Sequence, residues 1–283
     1  MLQKGDENVQ VTKKTPRAFL TKTSGFLHDY THSLNPFTGC AFGCSYCYVR
    51  KLPVSLFRSE EWGTWVDIKQ AEKERFKNEL KRAKAKGPLR IFMSSSTDPY
   101  QGEEAKEEIT RTLLSAMTEE KPDFLFVQTR SPLAARDLDL FKKLGSGMLF
   151  SMTIETDRDE VRKAFAPASP PIAARIRALK QVAEAGVPSQ AAVAPMLPFT
   201  DDFPETLKQA AGIVTLDDFF QGDGAGGRRS VSLGVRNILE ELNEEAWFKP
   251  ERLNKEKKRF EAVFGKNNVR ISQDGFAPFR TKD

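Results

Sequence analysis

Cysteine is scarce in this chain of 283 residues: there are 3, an odd number that cannot close a disulfide framework. Histidine is scarcer still, with 2, so nitrogen ligands for a metal are few. No apolar run approaches the roughly 20 residues that cross a bilayer; the longest, Ala191 to Leu197, contains a proline. The N-terminal stretch MLQKGDENVQVTKKTPR is polar and lacks the apolar segment of a secretory signal. A soluble, cytoplasmic protein with no membrane partner is therefore expected. No repeat recurs at the periods of solenoids or propellers. A strong excess of one charge is missing too. Lys+Arg 44 against Asp+Glu 39 leaves +5 and a pI near 9.0, which suits an anionic partner without demanding one. Hydrophobic residues at 39% support a sizeable core and exclude a wholly disordered chain.

What is present is an alternation of short apolar runs with longer charged stretches. Strands are expected at Arg90 to Ser94, Phe124 to Gln128, Met148 to Ile154, Gln190 to Ala194 and Ile213 to Leu216. Helices are expected at Ala71 to Lys86, Glu103 to Met117, Ser131 to Leu144 and Thr206 to Ala211. Another should run from a Ser169-Pro170 cap to Gly186. Strands alternating with helices imply parallel crossovers. Five or six such units, beginning near Ser33, predict an α/β fold: a partial (β/α)6 barrel over residues 31–216. Residues 1–30 would form an N-terminal extension. Residues 217–283 would form a mainly helical C-terminal extension, opening with a flexible glycine-rich loop at Gln221 to Arg229. Val235 to Trp247 and Pro250 to Phe264 read as its helices, and Asn268 to Phe279 as an extended tail.

The 3 cysteines fall within one segment, Leu34-Asn-Pro-Phe-Thr-Gly-Cys40-Ala-Phe-Gly-Cys44-Ser-Tyr-Cys47-Tyr-Val-Arg50. Three thiolates spaced C-x3-C-x2-C can each bind one iron of a cubane and leave the fourth iron open for a ligand. Gly39 and Gly43 would let the backbone turn tightly around it. Two other readings stand beside this one. His28 or His32 could complete a structural zinc site, or two thiols could pair and leave one spare.

The pattern C-x3-C-x-aromatic-C, here Cys40, Cys44, Tyr46 and Cys47, resembles the signature of the radical S-adenosylmethionine (SAM) superfamily. The stretches Met93-Ser-Ser-Ser-Thr-Asp-Pro-Tyr100, Val127-Gln-Thr-Arg-Ser-Pro132, Phe150-Ser-Met-Thr-Ile-Glu155 and Ala194-Pro-Met-Leu-Pro198 are similar to its spore photoproduct lyase-like branch. The likeness covers roughly residues 31–200. It implies a [4Fe–4S] cluster on Cys40, Cys44 and Cys47. It also implies SAM as the second cofactor, and a flavodoxin- or ferredoxin-type electron donor. Reductive cleavage of SAM would give a 5′-deoxyadenosyl radical that abstracts hydrogen from an organic substrate, conceivably a nucleic-acid base. By the same likeness Tyr46 would meet the adenine, while Thr97, Arg130 and Ser151 hold the methionine and ribose parts, with Asp98 beside them. On bland readings Ser95, Thr97 and Asp98 form a turn before Pro99, and Arg130 caps a helix or pairs with Asp137.

The resemblance breaks at one place. Spore photoproduct lyase returns a hydrogen atom from an additional cysteine, and at the corresponding strand end this chain has Ser96, whose O–H bond is too strong for that task. Tyr48 and Tyr100 become the candidate hydrogen donors. With every cysteine committed, no thiol remains for auxiliary clusters, and no Asp-x-His-x-x-Gly pattern marks a cobalamin site. The alternative from another class is a non-catalytic iron–sulfur or zinc protein that binds nucleic acid. Trp62, Trp65 and Trp247 would be its possible stacking platforms.

Overall fold

The structure, a computed structural model, describes residues 9–278; residues 1–8 of the expected N-terminal extension and Phe279 of the expected tail lie outside them. Eleven strands are present among the described residues. These are β1 (Gln10–Lys14), β2 (Leu20–Lys22), β3 (His32–Leu34), β4 (Phe37–Thr38), β5 (Trp65–Lys69), β6 (Arg90–Met93), β7 (Phe124–Thr129), β8 (Met148–Thr153), β9 (Ser189–Val193), β10 (Val214–Leu216) and β11 (Val269–Ile271). The main sheet has the order β11-β10-β9-β8-β7-β6-β3-β2, and a three-stranded sheet has the order β1-β5-β4. Within the main sheet β3 and β6 to β10 lie side by side in chain order, each parallel to the next, while β2 pairs antiparallel with β3 at one edge. The chain is thus an α/β protein with a mainly parallel sheet. Chain-order pairing follows from right-handed crossovers, which return each helix to the same side and set the next strand beside the last.

Strands covered on both faces must be apolar along their length, and β8 is buried at every position. One face, with Ile91, Leu125, Val127, Phe150 and Met152, packs into the main core beneath the helices. The other carries Phe92, Phe126, Leu149 and Ala192, joined by Tyr30, Phe124 and Phe276. Phe92 and Phe126 stack there at 4.8 Å between centroids. Because strand side chains alternate, the Phe126 row continues into Gln128, and the Leu149 row into Ser151 and Thr153. This face is therefore aromatic low on the strands and polar at their C-terminal ends.

Several expected elements take another form. The stretch Glu103 to Met117 is two helices, Glu104–Glu107 and Ile109–Glu119, broken where Glu108 adopts φ +49°. Ser131 does cap, accepting from Leu133 N, but the turn it opens is a 3-10 helix (Pro132–Asp137) before the α-helix Leu138–Leu144. Ser169 does not cap. The helix is Ile172–Glu184, and the Ser169 hydroxyl donates instead to Ala166 O. The helix expected at Thr206 to Ala211 is Phe203–Lys208, started by Pro204 in its first turn. The stretch from Asn268 is not an extended tail: β11 pairs parallel with β10, and Gln273–Phe276 turns under the sheet. There Gly275 O accepts from Gln190, and a Cβ on Gly275 would fall 2.1 Å from Thr215. No helix is long and apolar enough to cross a membrane, among the described residues.

Candidate active site

The cysteine loop leaves β4 and is fixed from below. Gly39 has φ +83°, and a Cβ there would lie 2.5 Å from Trp65 O. Gly43 has φ +54° and faces Gly63 Cα at 3.2 Å from its would-be Cβ. Both positions need glycine for conformation and for space. The buried Gln101 side chain accepts from Ala41 N at 2.8 Å and donates to Gly39 O at 3.2 Å. Arg50 donates to Cys44 O at 3.0 Å and Gly43 O at 2.7 Å. The loop's carbonyls are thereby tied to side chains, which frees it from ordinary secondary structure.

A cavity of about 140 Å³, open to solvent, meets this loop at the C-terminal ends of β6, β7 and β8. Its walls include Cys40, Cys44, Cys47, Tyr46, Tyr48, Ser94 to Asp98, Gln128, Thr129, Arg130 and Thr153. Among these, Ser94 Oγ, Thr97 Oγ1 and Gln128 Oε1 are buried without a hydrogen-bond partner. Ser94 also holds φ +77°, a conformation costly for serine. Polar atoms left unpaired in a dry wall cost free energy unless a ligand satisfies them, so three in one cavity mark a ligand's place.

All 3 thiols are pushed up by burial, Cys47 to about 11. Without a ligand they are protonated, and metal binding must release those protons. Arg130 opposes burial at Cys44 and at Cys47, and it touches the sulfur of Cys44: its Nη1 lies 2.9 Å from Cys44 Sγ, 2.6 Å from Tyr46 Oη and 2.7 Å from Glu155 Oε1. The second Glu155 oxygen accepts from the fully buried Arg175 at 2.7 Å. Burial would raise Glu155, but the two guanidiniums overcome it and hold the carboxyl at about 2.

Asp98 is in the wall, and its oxygens are largely engaged. Oδ1 accepts from Tyr100 N and Thr129 Oγ1, and Oδ2 from Arg130 N, at 2.7–2.8 Å. It fixes the backbone that presents Arg130. Arg130 does not pair with Asp137, which Arg111 and Arg136 hold. Ser151 lies one pleat below the cavity, accepting from Gln190 Nε2 at 3.2 Å; Thr153, two residues on, reaches the wall in its place. Tyr48 lines the cavity mouth and donates to Ser95 O. Tyr100 does not: it is buried and turned to Asp137 at 3.1 Å. The zinc reading has no geometric support. Among the described residues no three His, Cys, Asp or Glu side chains are close enough to share one ion, and neither histidine lines the cavity. Trp62, Trp65 and Trp247 are buried and offer no stacking platform.

The sequence model of the radical SAM superfamily matches residues 34–210, well over half the chain. The chain belongs to the radical SAM superfamily. Its curated relatives include an uncharacterized protein of Methanocaldococcus jannaschii, 34% identical over 165 residues, which are 58% of this chain and 60% of that one. An uncharacterized protein of Acidianus two-tailed virus is 29% identical over 177 residues, covering 59% and 56%. The chain thus spans less than two thirds of the length of these relatives. Among solved structures, a spore photoproduct lyase variant matches with TM-score 0.62 and 14% identity, over 93% of this chain and 81% of that one. Another, crystallised with AdoMet and dinucleoside spore photoproduct, matches equally well at 13% identity. At that identity the likeness is one of fold. The donor set suits a cubane: three thiols of one short loop line one cavity, one for each of three irons, which leaves a fourth iron open beside the unpartnered polar atoms of the wall.

Sequence reasoning missed Arg50, Gln101, Gln128, Glu155 and Arg175. Gln128 had a signal, as a polar residue ending an apolar strand. Arg175 had none, because inside an amphipathic helix an arginine reads as solvent-facing.

Proposed function

We propose that this radical SAM protein is an enzyme that cleaves SAM reductively on a [4Fe–4S] cluster held by Cys40, Cys44 and Cys47, and that its substrate is a nucleic-acid base. The observation that carries this reading is the shared cavity, with three thiols at one end and three unpartnered polar atoms in its walls. When bound, the cluster supplies the electron whose transfer to SAM yields the 5′-deoxyadenosyl radical that removes a hydrogen atom from substrate.

The chain's own residues orient and exclude. Arg130 makes all its side-chain hydrogen bonds through Nη1, so Nε and Nη2 of a cavity-lining guanidinium are left for the SAM carboxylate. Thr97 Oγ1, Ser94 Oγ and Gln128 Oε1 take the ribose and amino groups, and Thr153 closes the floor where Ser151 was expected. Tyr46 offers its ring and backbone to the adenine. Tyr48, with its hydroxyl at the mouth, is the hydrogen donor of choice over Tyr100. The mainly parallel sheet, aromatic below the cavity, would limit the access of water to the reacting atoms from that side.

A nucleic-acid substrate is supported at the mouth. Tyr48 lines the cavity, with Arg229 near enough to act on its phenol, and the chain that follows it carries the exposed Lys51, Leu56 and Phe57, the last 88% exposed. Aromatic faces beside cations suit stacked bases and their phosphates. The glycine-rich segment that carries Arg229 is not a free loop: the Asp223 carboxylate accepts from Ala225 N, Gly227 N and Ser230 N and holds it folded. The electron donor proposed is a flavodoxin- or ferredoxin-type protein, in the reducing cytoplasm where unpaired thiols persist.

The test is anaerobic reconstitution with iron and sulfide, reduction with dithionite, addition of SAM, and chromatography for 5′-deoxyadenosine. Four irons per chain and 5′-deoxyadenosine are expected, and both are lost in Cys44→Ala. Retained cleavage in that variant would sink the assignment.

A further inference from the structure

We propose that Arg130, Glu155 and Arg175 form a charged chain that sets the cluster's reduction potential through Cys44. The inference rests on the reading of the 3 cysteines as cluster ligands. Arg130 Nη1 donates toward Cys44 Sγ at 2.9 Å, and the Tyr46 hydroxyl, itself 2.6 Å from that nitrogen, lies beside the same sulfur. Glu155 Oε1 anchors the same nitrogen at 2.7 Å, while Glu155 Oε2 is held by Arg175 Nη1 at 2.7 Å. Arg175 is itself locked by Pro170 O at 2.9 Å and Ser169 Oγ at 2.6 Å.

Two features argue for tuning over bulk stability. A buried ion pair stabilises a fold no better than apolar residues of the same volume. Yet Arg175 has no exposed surface, and while Pro170 O, Thr153 O and Ser169 Oγ fix its guanidinium, Nη1 is turned to Glu155. Moreover one carboxylate serves two guanidiniums, so it cannot neutralise both. The other nearby carboxylate, Asp98, meets the Arg130 backbone N–H and not its guanidinium. Excess positive charge is left facing the Cys44 sulfur in a region where low dielectric magnifies it. Reduction adds one electron from the external reductant to the cluster and breaks no bond. An N–H donor and a net cation at the ligand sulfur stabilise the more negative, reduced state and raise the potential. Arg130 makes the contact; Arg175 is a positioning residue that acts through Glu155.

The experiment is a potentiometric titration of the full, reconstituted chain followed by electron paramagnetic resonance. Arg175→Met is expected to lower the midpoint potential. The reduced-to-oxidised ratio at a fixed potential should fall about tenfold, which is about 59 mV for a one-electron couple. Glu155→Gln is expected to raise it, and Arg175→Lys to restore part of what Arg175→Met loses. A merely structural role predicts the opposite for Arg175→Met, since a loosened, wetter site favours the reduced cluster. If Arg175→Met does not load iron, Arg175→Gln takes its place. Four-iron variants whose potentials do not move, or all rise together, would overturn the inference. Failure of the wild-type chain to bind iron would instead overturn the ligand assignment.

Discussion

Arg130 and Cys44 stand 86 positions apart in sequence, and the guanidinium of the first reaches to 2.9 Å from the sulfur of the second. That contact comes from one nitrogen and leaves two others for a carboxylate. Arg130→Ala should therefore weaken SAM binding by about 1.5–3 kcal/mol, the range for hydrogen bonds to a charged group, or roughly ten- to a hundredfold in Kd. Iron content should stay at the wild-type value. Equilibrium dialysis with labelled SAM beside iron analysis checks this; loss of iron would make Arg130 part of the loop's scaffold instead.

Tyr48 and Tyr100 should separate cleanly. Tyr48→Phe should retain 5′-deoxyadenosine formation while product turnover falls by tenfold or more, on the general scale for a lost proton- or hydrogen-transfer group, about 10²-fold. Tyr100→Phe removes one buried hydrogen bond to Asp137, which keeps Arg111 and Arg136. It should cost about 1 kcal/mol of stability and leave SAM cleavage untouched. Equal turnover in both variants would remove Tyr48 as donor.

Asp217 follows β10, and burial pushes its carboxyl up to about 7, with Asp218 and Asp223 adding to the rise against a hydrogen bond from Ser272. A folded-state value above the unfolded one means the folded protein binds the proton more tightly. The associated stability is present below about pH 4 and is lost as pH rises through 7. Asp217→Asn should abolish that loss. Thermal midpoints compared from pH 5 to 8 should fall more steeply in the wild type than in the variant, and parallel curves would refute the assignment.

Gly39→Ala should be severe. A Cβ would meet Trp65 O at 2.5 Å from a backbone at φ +83°, and the left-handed conformation alone costs about 1–2 kcal/mol. Loss of at least about 2 kcal/mol, with poor cluster loading, is expected by denaturant melts and iron analysis. Gly102→Ala, where a Cβ meets open space, is the control and should stay within about 0.5 kcal/mol.

Much of the fold was legible because buried parallel strands leave a plain mark. Phe124 to Val127 is a continuous apolar run, and Met148 to Ile154 is apolar but for Ser151 and Thr153. The 3 cysteines were legible for the same reason: few residue types do what they do, and they sit together. Helix starts were harder. Ser169 looked like a cap but spends its hydroxyl on Ala166 O, a choice made by the chain's path and not by local preference. Ser151 and Thr153 share a face, so periodicity alone could not say which lines the cavity; the height of the strand end decides it. Tyr100 illustrates the limit in reverse, since nearness in sequence to Thr97 and Asp98 said nothing of the turn that sends its ring to Asp137. The Glu155–Arg175 link joins a strand end to a helix, and no local pattern encodes it.

The aromatic interior of the sheet is completed late. Tyr30, near the start of the described chain, donates to Phe276 O across 246 positions, and Phe276 packs into the same cluster as Phe92 and Phe126. During synthesis every strand of the sheet up to β10 can emerge from the ribosome while this interior still lacks its floor. Contacts so distant in sequence form slowly, and a nascent chain halted before Phe276 exposes stacked aromatic rings to whatever is near. The aromatic side of the sheet thus draws on both ends of the described chain, whereas the residues that line the cavity, from Cys40 to Thr153, all lie between them.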